Sequence, residues 1–298
     1  MLDYAALSAL AAVVREGSFD RAARALHVTP SAISQRVRQL EERVGCALVV
    51  RGQPCTATAA GRRLCQHVDR VRLLEHEVQD LLPALASPNC ARLMLPIAVN
   101  ADSLATWFAP TLATFAEQHP VLMNVSVDDQ DHTAEWLRSG AVLAAVTATP
   151  RAASGCNSRA LGRMRYVAAA SPLFMQRHFA DGVDADSLAK APSLVFNNKD
   201  ALQARWVHRL CQHPVELPKH TLPSSEAFVT AAMKGMGWGL HPEWLIAPHL
   251  EKGSLVTLLP DMPLDVPLYW QHARAASGLL ERLSQAVIHA ARSALLQP

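Results

Sequence analysis

Apolar positions in the first 60 residues recur at helical spacing in three short blocks. Leu7, Leu10 and Val14 share one face of a first helix, which Gly17 ends. Ser18 is suited to cap a second helix, which runs to about Leu26 and carries Ala22, Ala23 and Ala25, small enough to let another helix come close. A turn at His27 and Val28 leads to Thr29 and Pro30, an N-cap residue followed by proline at the first helical position. On the third helix Ile33, Val37, Leu40 and Val44 stand at i, i+4, i+7 and i+11, one apolar stripe that faces inward. Beyond Gly45, the run 47–50, the turn Arg51-Gly52-Gln53-Pro54 and the run 55–58 predict a small β-wing.

From Thr58 to about Ala86 the pattern is again helical. Leu64, His67, Val71, Leu74, Val78, Leu81 and Leu85 alternate by three and four, a heptad seam. Such a helix spans on the order of 40 Å, more than a small domain covers, so the seam predicts a homodimer; packing on the chain's own globular part is the alternative. Pro83 and Ser87-Pro88-Asn89 end the helix and place a boundary there. Past it, strand-like runs at 93–99, 122–127 and 142–147 alternate with helices ending near 118 and 139, βαβ patterning that predicts a parallel sheet. A second unit starts near Arg165, with strands near 193–196, 215–219 and 238–240. Strands at 255–259 and 266–272 and a helix over 277–296 bring the chain back. The expected division is 1–60, 61–88 and 89–298. The last part is α/β and two-lobed, lobe I being about 90–162 with 268–298 and lobe II about 163–267.

Composition narrows the function. Of 298 residues half are hydrophobic and 18% charged, as in folded globular chains. No apolar run approaches the ~18 residues needed to span a bilayer, and the apolar stretch 7–14 lacks the basic flank of a signal peptide, so the expected compartment is the cytoplasm. Six cysteines at 46, 55, 65, 90, 156 and 211 form no CxxC pair, and thirteen histidines form no HExxH, so no metal is expected. No cofactor is expected either: Gly235-Met236-Gly237-Trp238-Gly239 is not GxGxxG, and no GxSxG elbow, P-loop or paired-carboxylate pattern marks a catalytic site. Net charge is only +2, yet residues 1–65 hold nine arginines against five acids. Double-stranded DNA is the natural partner of that segment.

The outward side of the third helix presents Ser31, Ser34, Gln35 and Arg38. Arginine bonds guanine O6 and N7, glutamine bonds adenine N6 and N7, and serines reach bases or phosphates. Ser18, Thr29 and Pro30, which open the second and third helices, are counted with them, and Arg51 on the wing is placed for a phosphate or the minor groove. The stretch GSFDRAARALHVTPSAISQRVRQLEERVG, followed by LVVR and by TAAG at 58–61, resembles the amino-terminal winged helix-turn-helix of LysR-type transcriptional regulators. Two departures, Leu48-Val49-Val50-Arg51 for the usual LF-x-R and Ala57-Thr58 for the usual Leu-Thr, keep the apolar character. The resemblance implies a two-lobed effector domain akin to periplasmic binding proteins. It also implies a dimer, often within a tetramer; RNA polymerase is a compatible partner.

Open sheets bind ligands at the carboxyl ends of their strands. There Asn100, Asp102 and Ser103 sit between a strand and a helix start, where Ser103 and the helix N-terminus suit a carboxylate and Asp102 a cation. Asp128 follows the next strand with Asp129 and Asp131, Thr147 ends the third, and Ser224-Ser225-Glu226 and Asn197-Asn198 offer polar loops on the second lobe. Simple helix capping is the other role open to the serines and aspartates. NADSLATW at 100–107, SSEAFV at 224–229 and LYW at 268–270 resemble the ArgP/LysG branch of LysR-type regulators, which controls export of basic amino acids. That resemblance implies L-lysine or L-arginine as effector and an exporter gene as target; the residues expected to hold the effector are Asn100, Asp102, Ser103, Asp128, Thr147 and Ser224. Competing readings are a LysR-type regulator of another metabolite, an enzyme with an appended DNA-binding segment, and a DNA-associated protein of replication or architecture.

Overall fold

The computed structural model describes residues 2–82, 93–127, 133–139, 141–274 and 278–297. At the amino-terminal end three helices pack around one core. Helix α1 (Tyr4–Glu16) is capped by Asp3, whose carboxylate accepts from the amides of Ala5 and Ala6, and ends at Gly17 in the left-handed conformation. Helix α2 (Phe19–Ala25) follows, then α3 (Pro30–Val44), where Thr29 Oγ1 accepts from the amide of Ala32 at 3.2 Å. Leu7, Leu10, Ile33, Val37, Leu40 and Leu48 fill the core. The stripe on α3 stops one turn earlier than its periodicity predicts, since Val44 is 44% exposed. The wing is shorter than the pattern suggests: β1 (Val49–Val50) pairs antiparallel with β2 (Thr56–Ala57).

Two contacts fix the wing to the helices. Glu41 on α3 accepts from the amides of Leu48 and Val49 at 2.7 and 3.2 Å. Helix α4 (Ala59–Leu81), capped by Thr58, starts against the wing at Gly61, where a Cβ would stand 2.0 Å from the carbonyl oxygen of Leu48. Only glycine lets those backbones meet.

Along α4 the expected seam divides. Leu64 packs on the amino-terminal core beside Val68, Leu73 joins the core of the second half, and Leu74 and Val78, with Leu82 just past the helix, stay exposed at 55%, 47% and 54%. Pro83, Leu85, Ala86 and 87–89 lie outside the described residues.

The second half is built on a seven-stranded sheet in the order β10-β6-β11-β5-β3-β4, with β9 also on β6. The strands are β3 (Leu93–Val99), β4 (Val121–Val127), β5 (Ala144–Thr147), β6 (Cys156–Ala170), β9 (Gly239–Pro242), β10 (Val256–Thr257) and β11 (Leu264–Ala273). Strand β3 runs parallel to β4 and β5, but β6 and β11 are antiparallel to their neighbours, so the sheet is mixed rather than parallel. The first half of β6 alternates weakly between buried and exposed positions, which is why the patterning starts the second unit near Arg165 instead of at Cys156. A separate parallel pair, β7 (Ser193–Val195) and β8 (Lys219–Thr221), adjoins the start of β9 through the backbone bond from Leu194 to Trp238 at 2.7 Å. Only the end of the predicted run 215–219 is strand; Pro218 has no amide to give a ladder, and its carbonyl instead accepts from the amide of Ser193.

Helices cover the sheet. From β3 the chain enters one continuous helical run of α5 (Ala101–Ser103), a π-helical turn (Leu104–Phe108) and α6 (Ala109–Gln118). Then come α7 (Thr133–Ser139), α8 (Pro172–His178), α9 (Ala185–Lys190), α10 (Leu202–Cys211), α11 (Ser225–Met233), α12 (Glu243–Glu251) and α13 (Gly278–Ala294). Trp206, Trp238, Trp270, Tyr166 and Phe108 are the largest fully buried side chains. Trp206 Nε1 donates to the carbonyl of Met262 at 2.7 Å and Trp270 Nε1 to Ser284 Oγ at 2.8 Å, so these two indoles enter the core with their polar end satisfied.

Candidate DNA-reading face and effector cleft

On α3 the buried residues Ile33, Val37 and Leu40 leave Ser31, Ser34, Gln35 and Arg38 together on the opposite, exposed side. Arg38 Nε meets Glu42 Oε1 at 3.1 Å, with both side chains mostly exposed, a surface pair that costs little to exchange for another partner. Thr29 and Pro30 start the helix, and Ser18 stands at the N-cap position of α2 but its hydroxyl makes no capping bond. The exposed Arg51 places its guanidinium carbon 5.5 Å from the centre of the Phe19 ring, which draws the wing tip toward the start of α2. Sequence patterning missed Phe19, Glu41 and Arg62; the last donates to the carbonyl of Ala57 at 2.9 Å and steadies the wing.

A cavity of about 330 Å³ opens where the chain leaves β3. Asn100 and Asp102 form one wall; the loop from Phe196 into α10, the start of α11 and the end of β9 form the other. Asp102 is at its floor. Its Oδ1 accepts from Ser225 Oγ at 2.6 Å and its Oδ2 from the hydroxyl of Tyr166 at 2.8 Å. Burial pushes the Asp102 carboxyl above its ordinary range, the hydrogen bonds from Ser225 and Tyr166 oppose that, and the nearby Asp200 adds to it. Tyr166 is driven well above its usual value by its own burial and by the negative charge of Asp102. No cation is paired with Asp102 among the described residues.

The surrounding groups are held rigidly. Asp200 accepts from the amides of Phe196 and Leu202 at 2.9 and 3.0 Å, and Asn197 Oδ1 accepts from those of Lys199 and Asp200 at 2.8 and 3.0 Å, so the loop is tied to itself. His241 is enclosed; burial pushes its imidazole down to about 3, which keeps the ring neutral, and its hydrogen bond goes to the backbone of Ala169. Two enclosed acceptor-capable atoms on wall residues, Asn100 Oδ1 and His241 Nε2, have no partner among the described residues. The exposed side chain of Arg205 supplies a positive charge at the rim.

Of the residues expected to hold an effector, Asn100 and Asp102 line this cavity. Ser103 is fully buried and outside the wall. Thr147, also buried, accepts from the amide of Thr149 at 3.2 Å, and Ser224 caps α11 through the amide of Ala227 at 3.3 Å; neither is part of the wall. Asp128 lies outside the described residues. The serine on Asp102 is Ser225, one position beyond the one the helix-start pattern singles out. Tyr166 and His241 on strands, Arg205 on a helix and Asp200 in a loop went unpredicted, because their positions carry no local signal.

Two family models divide the chain. Residues 4–62 match the bacterial regulatory helix-turn-helix protein of the lysR family, and residues 92–292 match the LysR substrate binding domain. The chain belongs to the LysR family of transcriptional regulators. Among LysR-family relatives, the HTH-type transcriptional regulator ArgP of Pseudomonas fluorescens is 46% identical over 288 residues, covering 97% of this chain and 96% of the relative. The crystal structure of ArgP from Mycobacterium tuberculosis superposes with a TM-score of 0.83 at 45% identity, covering both chains completely. Full-length LysG from Corynebacterium glutamicum with bound effector Arg gives 0.72 at 39% identity, again over the whole of both chains. The chain is therefore a DNA-binding regulator with a mixed α/β effector half, not an enzyme.

Proposed function

We propose that this LysR-family regulator binds operator DNA as a homodimer and adjusts that binding when L-arginine or L-lysine enters the cleft, controlling a gene for basic amino acid export. One observation carries the effector reading: Asp102 is a half-buried carboxylate at the floor of a cavity, with no cationic partner among the described residues. Burying an unpaired charge is costly, and a guanidinium or ammonium group removes that cost. Arg205 at the rim and the open N-terminus of the helical run at Ala101 suit the effector's own carboxylate. The arginine bound to the similar LysG chain supports the same ligand class.

Ser31, Ser34, Gln35 and Arg38 then contact base edges and Arg51 a phosphate, with Ser18, Thr29 and Pro30 setting the helix starts. The exposed row Leu74, Val78 and Leu82 supports pairing of two α4 helices, which brings two α3 helices to two half-sites. Footprinting at fixed salt with and without lysine, arginine and histidine tests the proposal. A discrete promoter-proximal footprint that lysine or arginine alters is expected. Protection spread over many sites, or a footprint indifferent to all three, refutes it.

A further inference from the structure

A second cavity, of about 390 Å³, lies behind the cleft. The two share a wall. Pro242 lines both, and the helical run that gives the cleft Asn100 and Asp102 gives this cavity Thr106 and Trp107 from its π-helical turn. Thr106 Oγ1 donates to the carbonyl of Asp102 at 2.6 Å, joining the turn directly to the cleft floor. Such turns recur at functional sites.

The wall has an apolar part and a basic part. Met164, Ala247 and Leu295 supply apolar surface, and Trp244 stands 62% exposed beside them. Arg163 and Arg165 project from the same face of β6. They differ in what they hold. Arg165 is committed to Asp265 through two hydrogen bonds of 2.9 and 3.1 Å, whereas Arg163 is exposed and makes no side-chain hydrogen bond or ion pair with the described residues. Trp107, 6% exposed, adds an enclosed indole Nε1 with no acceptor among the described residues. The far side is firm: Arg163 and Leu296 exchange backbone hydrogen bonds of 2.8 and 3.0 Å, a closeness that Gly162 permits because a Cβ there would stand 2.7 Å from the Leu296 oxygen.

We propose that this cavity is a second ligand site, taking a small carboxylate with an apolar or aromatic body, the carboxylate on Arg163 and the body against Trp244. Arginine and lysine do not suit it, because their cationic side chains would face two guanidinium groups. Glu243 at the rim is placed to receive an ammonium if the carboxylate is an amino acid.

Titration of the full-length protein with phenylacetate and with L-phenylalanine, followed by calorimetry and tryptophan fluorescence, tests the site. At least one is expected to bind saturably, with a fluorescence change lost in Trp244→Phe; preference for either acid supports the site and says whether Glu243 takes part. Arg163→Gln, at an exposed position whose backbone pairing it leaves intact, is expected to weaken binding about tenfold or more, the worth of one charge-assisted hydrogen bond. Asp102→Asn is expected to leave it unchanged, which separates this site from the cleft whatever the cleft binds. Absence of binding by both acids up to about 10 mM, binding indifferent to Arg163→Gln, or loss in Asp102→Asn alone would overturn the proposal.

Discussion

The winged-helix end presents its proposed reading side chains outward from one exposed helix face, whereas the cleft collects its candidate ligand-binding groups from five separated segments around a half-buried carboxylate. The first surface meets a large polyanion from solvent and needs little rearrangement. The second keeps an ionisable group out of water, and its chemistry depends on what enters. Substitutions of the exposed side chains along α3 should therefore act on recognition alone, while substitutions in the cleft should act on ligand response, stability and pH dependence together.

The sharpest break is Asp102→Asn. Calorimetry should show L-arginine affinity falling about a hundredfold, the scale of removing one partner from a buried charge pair, with effector-free DNA binding intact. In the wild type, affinity should strengthen as pH rises through the raised carboxyl value of Asp102, because the ionised form is the one that holds a cation; the variant should lose that dependence. Equal affinities in the two proteins would remove Asp102 from recognition.

His241 offers the next largest effect. Its folded-state value of about 3 lies below the ordinary 6.5, so only the unfolded chain takes up a proton between those limits. Stability from this group is complete above pH 6.5 and declines as pH falls toward 3, by up to about 1.4 kcal/mol per pH unit. Denaturant titrations of His241→Phe should show a shallower acid dependence across that window. An unchanged slope would mean the ring is not held neutral.

On the DNA side, Arg38→Ala should cost roughly 1 to 3 kcal/mol on the operator and relax sequence choice. Mobility-shift titrations on operator and random DNA distinguish this from a phosphate contact, which would lose equally on both. Thr29→Ala is the mildest case: loss of the α3 cap should cost about 1 kcal/mol of stability, read from thermal unfolding, and leave ligand affinity alone. A change in arginine affinity there would show the two regions to be less separate than their architecture implies.

The same contrast explains how much could be read in advance. The three amino-terminal helices, their caps and the exposed set on α3 follow from periodicity, because each working residue sits within one element whose buried face is visible in sequence. Val44 escaped because the stripe outruns the core that receives it. In the second half the helix start at 100–102 was visible as a local pattern, but Tyr166 lies 64 positions from Asp102 and Ser225 lies 123 positions away. Ser224 is the cap of α11 and Ser225 its neighbour, and the helix-start pattern points to the cap. Only the packing of α11 across the cleft decides which hydroxyl reaches the carboxylate. The mixed sheet was hidden for a related reason: strand direction comes from where a crossover returns, which alternation does not record.

Glu41, gripping two wing amides from the body of α3, has a consequence for the DNA itself. Like a caliper with locked jaws, it sets the distance between the proposed reading helix and the wing before any duplex arrives. Adjustment then falls to the duplex, and half-sites whose steps bend and narrow easily will be favoured over stiffer ones that offer identical base edges.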